Sequence, residues 1–441
     1  MSPIPLVRLM LAALALIASS PYVEAAGAAA AGAVAASAVA ANAAAAAPAE
    51  TRLRTVYVGT LEGAGEVVME LDGQGSDGSP VTGRYFYPKH GVDIPLQGTP
   101  EALAEPRLFY ELQEAGIAPD AKAAAAATWQ GHRDADGYRG HWVDARTGKQ
   151  RAFALRRVAR YDPRALVPGS GQAVTDAISG GMGSGIDHGV SINANNAPYE
   201  TLKLAGHAVP VGADSGTGAV AYRMWRDPRT QFSYPRLSRH PDPQVMARVN
   251  ALLEQRHWQM SLAALACKAS AYTNDNPAAG TLGSYDEEAI TVQWLSTALM
   301  TVTESGSLYC GGAHPNNHFE PYTFDLLQGK YLDWNRVLDA YVPGENGWRE
   351  ASPALLALID KARAPQADMK IEGGDDDSLK ECSDLWPSYL ALGTEAPGVL
   401  TLSVSGVGHA MGVCLGTHAT VPFKDLTPYL APGGQAYLVR E

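Results

Sequence analysis

The sequence predicts an α+β protein: an N-terminal antiparallel all-β domain, residues 51–161, followed by a C-terminal α+β domain, residues 199–441, with an antiparallel sheet covered by two helices. Three observations predict it. Between Thr51 and Tyr161, short runs of alternating apolar and polar residues are separated by glycine turns, without helical periodicity. Beyond Tyr199, two stretches, Gln244–Trp258 and Pro353–Arg363, carry apolar residues at helical spacing. Between those helices, Ser307–Tyr341 reads as strand, turn, strand and a capping element.

The front of the chain carries targeting rather than fold. Arg8 precedes the apolar run Leu9–Ala18, and Val23-Glu24-Ala25-Ala26 offers a small-residue cleavage site. Residues 1–25 therefore read as a secretory signal peptide, which places the mature protein in the periplasm or outside the cell. The apolar run falls short of the ~20 residues a spanning helix needs, and no stable membrane insertion is expected after cleavage. Residues 26–50 are almost all alanine, lack an amphipathic face, and read as a disordered tether.

In the all-β region the expected strands are Val56–Leu61, Glu66–Leu71, Val81–Tyr87, Ile94–Gln97, Arg107–Leu112, Ala126–Gly131, Tyr138–Val143 and Phe153–Val158. Their regular spacing predicts an antiparallel meander, either a small barrel or a strongly curved sheet. Tyr85, Tyr87, Tyr110, Trp129, Tyr138 and Trp142 are read as core and cross-strand packing, with a sugar-binding face as the functional alternative. Residues 162–198, rich in glycine, serine and asparagine, follow as a linker.

In the second domain, strands are expected at Thr201–Leu204 and Val220–Trp225. Pro241, Asp242 and Pro243 open the helix Gln244–Trp258, in which Val245, Val249, Leu252, Leu253 and His257 recur near helical spacing. Leu262–Ala271 and Ala289–Thr303 read as long strands, the second for its β-branched residues. The helix Pro353–Arg363, an acidic loop Glu372–Asp377, and strands Gly398–Ser403 and Gln435–Arg440 complete the domain. Within Ser307–Tyr341, Gly311 and Gly312 allow a sharp reversal. Tyr322, Phe324 and Leu326 then alternate as a half-buried strand does, and Gly329 turns the chain toward Leu332 and Trp334.

Tyr309, Gly311, Gly312, Ala313 and His314, followed by Thr323-Phe324-Asp325-Leu326, Gly329-Lys330 and Leu332, resemble the GGAH signature of the RsiV-like domain. That domain is the extracytoplasmic part of lysozyme-sensing anti-sigma factors. Tyr234-Pro235-Arg236-Leu237 and Val421-Pro422-Phe423-Lys424-Asp425-Leu426 resemble two further pieces of the same family, so the resemblance covers roughly the last half of the chain. Pro315 and Asn316 depart from it, standing where the family often has another glycine. The domain also accompanies the catalytic domain of some peptidoglycan deacetylases without being the catalyst. The resemblance thus implies a binding module, with a lysozyme-like protein as one candidate partner, and implies no reaction.

Cys267, Cys310, Cys382 and Cys414 all lie in the second half of a chain read as exported. An even number there reads as disulfides, and Cys267 with Cys310 and Cys382 with Cys414 is the favoured pairing, each worth roughly 3–4 kcal/mol. Their wide spacing, without a CxxC pair, argues against zinc. A formal net charge of −12 and the lack of a lysine or arginine cluster argue against nucleic acid as a partner.

His314, Asn316, Asn317, His318 and Phe319 form the candidate binding loop: hydrogen-bonding groups and an aromatic anchor on a hairpin tied at its base by Cys310. His314, His318 and Asp325 resemble, in residue type, the metal ligands of polysaccharide deacetylases. In that family, however, the aspartate motif precedes the histidines, and here Gly311, Gly312 and Pro315 oppose a helix that would bring both imidazoles to one face. Gly406, Gly408 and Gly412 lack the following helix of a dinucleotide fingerprint, and Glu372, Asp375, Asp376 and Asp377 lack the spacing of a calcium loop. No catalytic residue, metal ligand or cofactor is assigned. The sequence thus predicts an exported, non-catalytic envelope protein that binds a protein or a glycan, with a peptidoglycan or polysaccharide hydrolase or deacetylase as the alternative.

Overall fold

The computed structural model describes residues 53–73, 80–106, 110–113, 116–119, 125–163, 192–216, 218–273, 288–308, 316–344, 349–363, 382, 385–386 and 388–439. The signal peptide, the tether, most of the linker, the acidic loop, Cys310 and His314 lie outside these residues.

The first part is a closed antiparallel barrel. Its strands are β1 (Arg54–Leu61), β2 (Gly65–Asp72), β3 (Val81–Phe86), β4 (Ile94–Gly98), β5 (Ala102–Ala104), β8 (Ala127–Arg133), β9 (Gly137–Asp144) and β10 (Gln150–Tyr161), and β6 (Tyr110–Gln113) with β7 (Gly116–Pro119) forms a separate hairpin. Neighbours run β1-β10-β9-β8-β5-β4-β3-β2, with β1 also pairing β2 to close the ring. Strand alternation turns Tyr57, Met69, Leu71, Tyr85, Leu103, Trp129, Tyr138, Phe153 and Leu155 into one buried cluster. Three of the aromatics weighed as a sugar-binding face, Tyr85, Trp129 and Tyr138, are therefore core. Glu105 is buried among them, its Oε1 accepting from the Tyr85 hydroxyl at 2.8 Å, Trp129 Nε1 at 3.0 Å and Trp142 Nε1 at 2.7 Å.

Against the outside of the barrel lies α1 (Pro198–Leu204), where a strand was expected from Thr201. Its buried residues Tyr199, Glu200, Lys203 and Leu204 recur at helical spacing, and Pro198 opens it with the backbone angle a first turn wants. Tyr199 joins Val56, Val68 and Phe86 in a core patch on the barrel exterior. Around it, Arg84 pairs with Glu70 at 3.0 Å, with Asp93 at 3.2 Å and with Glu200, while Lys203 Nζ reaches Asp93 at 2.7 Å.

The second part begins with β11 (Val209–Ser215), β12 (Ala221–Arg226) and β13 (Ser233–Arg239), then α2 (Pro243–Thr273). Asp242 caps α2, accepting from Gln244 N at 2.7 Å and Val245 N at 3.2 Å. The helix runs on through Leu262–Ala271, which was expected as a strand. No breaker separates Trp258 from Leu262, and the alanines there favour continuing the helix. Next come β14 (Ala289–Leu295), β15 (Leu299–Leu308), β16 (Asn316–Asp325) and β17 (Lys330–Tyr331) in one sheet. The run expected as one strand, Ala289–Thr303, is thus divided between β14 and β15 at a turn where Ser296 Oγ accepts from Ala298 N at 3.2 Å and Leu299 N at 3.1 Å. The chain continues through the hairpin β18 (Tyr341–Pro343) and β19 (Arg349–Ala351), α3 (Pro353–Arg363), and the sheet β20 (Leu390–Glu395), β21 (Val399–Val404) and β22 (Gly416–Pro422). Near the end, where Gln435–Arg440 was expected as a strand, Gly433 at φ 84° leads into a 3-10 turn, Gly434–Tyr437.

This overturns the expected fold class. Among the described residues the chain is mostly β, and its C-terminal part is built from several small sheets rather than one sheet under two helices. The two helices serve different sheets. α2 packs Val245, Val249, Leu253 and Met260 with Met300, Val302, Tyr322 and Phe324 of β15 and β16, while α3 packs Leu355, Leu358 and Ile359 with Leu392, Leu400 and Leu402 of β20 and β21. The sheets themselves meet through Thr301, whose hydroxyl lies 3.0 Å from that of Thr323 and 2.6 Å from that of Thr394. Gly393 permits the approach, since a Cβ there would stand 3.2 Å from Pro321 Cβ and 2.8 Å from Thr401 Oγ1.

Cys382 and Cys414 form a disulfide with Cα atoms 5.2 Å apart. Cys267 is also disulfide-bonded, and the partner assigned to it from sequence, Cys310, lies outside the described residues. Among the described residues no helix is long and apolar enough to cross a membrane.

Candidate functional site

The candidate binding run falls at the start of β16, and strand alternation divides its residues between two faces. His318 is buried on the α2 side, its Nε2 3.1 Å from Glu288 Oε2, so its imidazole is withheld from a surface ligand. Asn317 and Phe319 are half-buried on the other face, where Asn317 packs close to Gly412 in the turn closed by Cys414. Asn316 opens the strand, and His314 lies outside the described residues. Asp325, weighed as a deacetylase-like ligand, is fully buried in structural work. Its Oδ1 accepts from Leu327 N at 2.9 Å and Gln328 N at 3.0 Å, and its Oδ2 accepts from the Tyr437 hydroxyl at 2.9 Å.

Beside His318 the structure assembles a buried polar cluster that the sequence reading missed. Glu304 of β15 faces Glu320 of β16 directly across the ladder. Arg256 of α2 grips Glu304 with Nε at 3.0 Å and Nη2 at 2.6 Å, and the Tyr234 hydroxyl adds a third bond at 2.7 Å. The Arg256 guanidinium also stacks on Tyr322, 3.9 Å from the ring centre. Glu320 is held differently: its Oε2 accepts from the Tyr322 hydroxyl at 2.8 Å, while its buried Oε1 has no hydrogen-bond partner among the described residues. Burial pushes the Glu320 carboxyl up to about 7, the Tyr322 bond opposing and the Glu304 charge adding to the rise. For His318, burial favours the neutral ring, but the hydrogen bond and charge of Glu288 outweigh it and hold the imidazole above its usual range. One signal was legible: glutamates occupy the apolar parity of both strands, following Met300 and Val302 in one and preceding Tyr322 and Phe324 in the other.

Glu320 also lines a groove with a cavity volume of about 750 Å³, within the range usual for small-molecule sites. Tyr331, Trp334 and Tyr341 are half-buried in its walls, and Tyr389 is exposed beside them. Their positions are fixed from behind. Asp333 caps the 3-10 turn Trp334–Arg336 by accepting from Asn335 N at 3.2 Å, and pairs with Arg349 at 2.8 Å. Asn335 then brackets Tyr341, its Oδ1 accepting from Tyr341 N and its Nδ2 donating to Tyr341 O, both at 2.7 Å.

The groove follows an edge of β16 that β17 covers only at Phe324 and Asp325. Leu332 N donates to Thr323 O at 2.8 Å, so Thr323 and, two residues earlier, Pro321 turn their backbone groups toward this edge. Pro321 has no N–H to offer there, which blunts the edge against strand pairing.

Among the described residues no group of three or more His, Cys, Asp or Glu side chains is placed to hold a metal. His418 spends Nε2 on Cys414 O at 2.6 Å. No family model matches the chain, and no curated protein matches it either.

Proposed function

We infer that this chain is an exported, non-catalytic binding module and that the groove along β16 takes a glycan. The observation that carries the reading is the pre-set row of aromatic rings, Tyr331, Trp334, Tyr341 and Tyr389, beside polar groups of Asp333, Arg349 and Ser388. Sugar rings stack on such faces while their hydroxyls bond at the rim, and rings held in place lose little entropy on binding. The proline-blunted edge argues against an extended peptide adding to the sheet. Export is supported by the signal-peptide pattern, and the Cys382–Cys414 disulfide suits an oxidising compartment. The RsiV-like resemblance supports a binding role, with a lysozyme-like protein as the other candidate partner.

One observation favours hydrolysis as a second reading, namely that a residue of the groove lining, Glu320, has its carboxyl pushed by burial up to about 7, the range of a general acid. Its cross-strand neighbour Glu304 is locked by Arg256 and Tyr234 and fully buried, which leaves no second free carboxylate in that pair. Incubation of the mature protein with purified cell-wall glycan separates the readings. Retention on the glycan without soluble sugars or acetate is expected, and product release that stops in Glu320→Gln would establish the enzyme instead.

A further inference from the structure

We propose that the groove selects an amino sugar carrying a free ammonium group and that Glu320 is the residue that selects it. The proposal rests on the glycan reading of the groove and adds the chemical class of sugar.

On the α2 side Arg256 is committed to Glu304 through two contacts, and on β16 itself His318 is committed to Glu288. Among the described residues Glu320 has no ion-pair partner of its own, and the Arg256 and His318 charges act on it only from their pairs with Glu304 and Glu288. Its bonded partner is the neutral Tyr322 hydroxyl, and its Oε1, in a residue only 4% exposed, is buried without a hydrogen-bond partner among the described residues. A buried carboxyl in that condition keeps its proton, in line with its titration near neutrality. An ammonium group brought alongside would favour the carboxylate, so the Glu320 proton leaves to solvent as the ligand enters and an ion pair replaces a neutral acid.

The groove walls suit the same ligand. Ring faces of Trp and Tyr attract cations as well as sugar CH groups, and here Trp334, Tyr331 and Tyr341 line the same cavity as Glu320. Of the cations in the groove wall, Arg349 is neutralised by Asp333, and Lys330 is solvent-exposed. A neutral sugar can give Oε1 only a hydroxyl or amide hydrogen, a weaker contact than a charged one.

The test titrates the whole mature protein with a β-1,4-linked glucosamine tetramer and with its N-acetylated counterpart, which share rings and linkage. High salt screens the general attraction of a chain with net charge −12, and about pH 6 keeps the amines charged. The amine tetramer is expected to bind about tenfold tighter or more, and Glu320→Gln to abolish that preference while still unfolding in one cooperative transition. Equal or tighter binding of the acetylated tetramer, or a preference that survives in Glu320→Gln, overturns the assignment while leaving the glycan reading intact. Failure of both tetramers to bind the parent removes the glycan reading and this inference together. A tetralysine peptide that binds as tightly as the amine tetramer shows that the groove reads an ammonium group outside a sugar, and overturns the sugar assignment. Because the comparison on the parent needs no variant, it stands even if Glu320→Gln folds poorly.

Discussion

Glu320 and His257 pull the stability of this protein in opposite directions with pH. Burial, aided by the nearby Arg236 charge, pushes His257 down to about 4 from a usual 6.5, so its contribution is present above pH 6.5 and is lost as the pH falls through about 4. Glu320 rises from 4.5 to about 7, so its contribution is present below pH 4.5 and is lost as the pH rises through about 7. His318, also raised, acts in the same sense as Glu320. Glu320→Gln keeps the shape and removes the titration. Relative to the parent it should gain roughly 3 kcal/mol between pH 4.5 and pH 8, read from urea midpoints, and a difference that does not change with pH would refute the assignment. Little of this was legible beforehand, because a glutamate at an apolar parity reads as a patterning error until its partners from distant segments are in place. Asp242 was legible, since a cap needs only its own next three residues.

At the scale of elements, the sequence reading succeeded where local pattern decides and failed where tertiary context does. The helix expected from Gln244 starts at Pro243, and the strands expected at Val56–Leu61 and Val81–Tyr87 are found at Arg54–Leu61 and Val81–Phe86, all of them following from caps and alternation. α1 was misread because its seven residues are too short to display a period, and tertiary contacts hold it in place. Arg84 is central to that contact, serving Glu70, Asp93 and Glu200 at once. Arg84→Ala leaves buried carboxylates short of a partner and should cost about 3 kcal/mol, with protease sensitivity rising around residues 192–204. An unchanged denaturation midpoint would show that α1 needs no such clamp. Pro321 makes a different kind of prediction. Pro321→Val supplies the missing N–H on the open edge of β16, and sedimentation should reveal self-association in the variant and not in the parent. A variant that stays as monodisperse as the parent would mean that the edge is guarded by something other than the proline.

For the molecule as a whole, the chain places a closed barrel beside a set of small sheets whose two long helices each back a different one. Counting helices and strands led to a single covered sheet, because sequence pattern reveals which residues are apolar but not which partner covers them. The groove was hidden for the same reason: Trp334 and Tyr341 come from one segment and Tyr389 from another, and only the packing of β16 beside β20 brings them together. The proposed binding function depends on that meeting of segments. The most direct test is a calorimetric titration of the mature protein and of Trp334→Ala, side by side, with soluble glycan oligomers. Saturable heat in the parent, and a loss of affinity of about tenfold or more in the variant at matched folding, is the result the account predicts. No saturable binding by the parent, or equal affinity in both proteins, would contradict it.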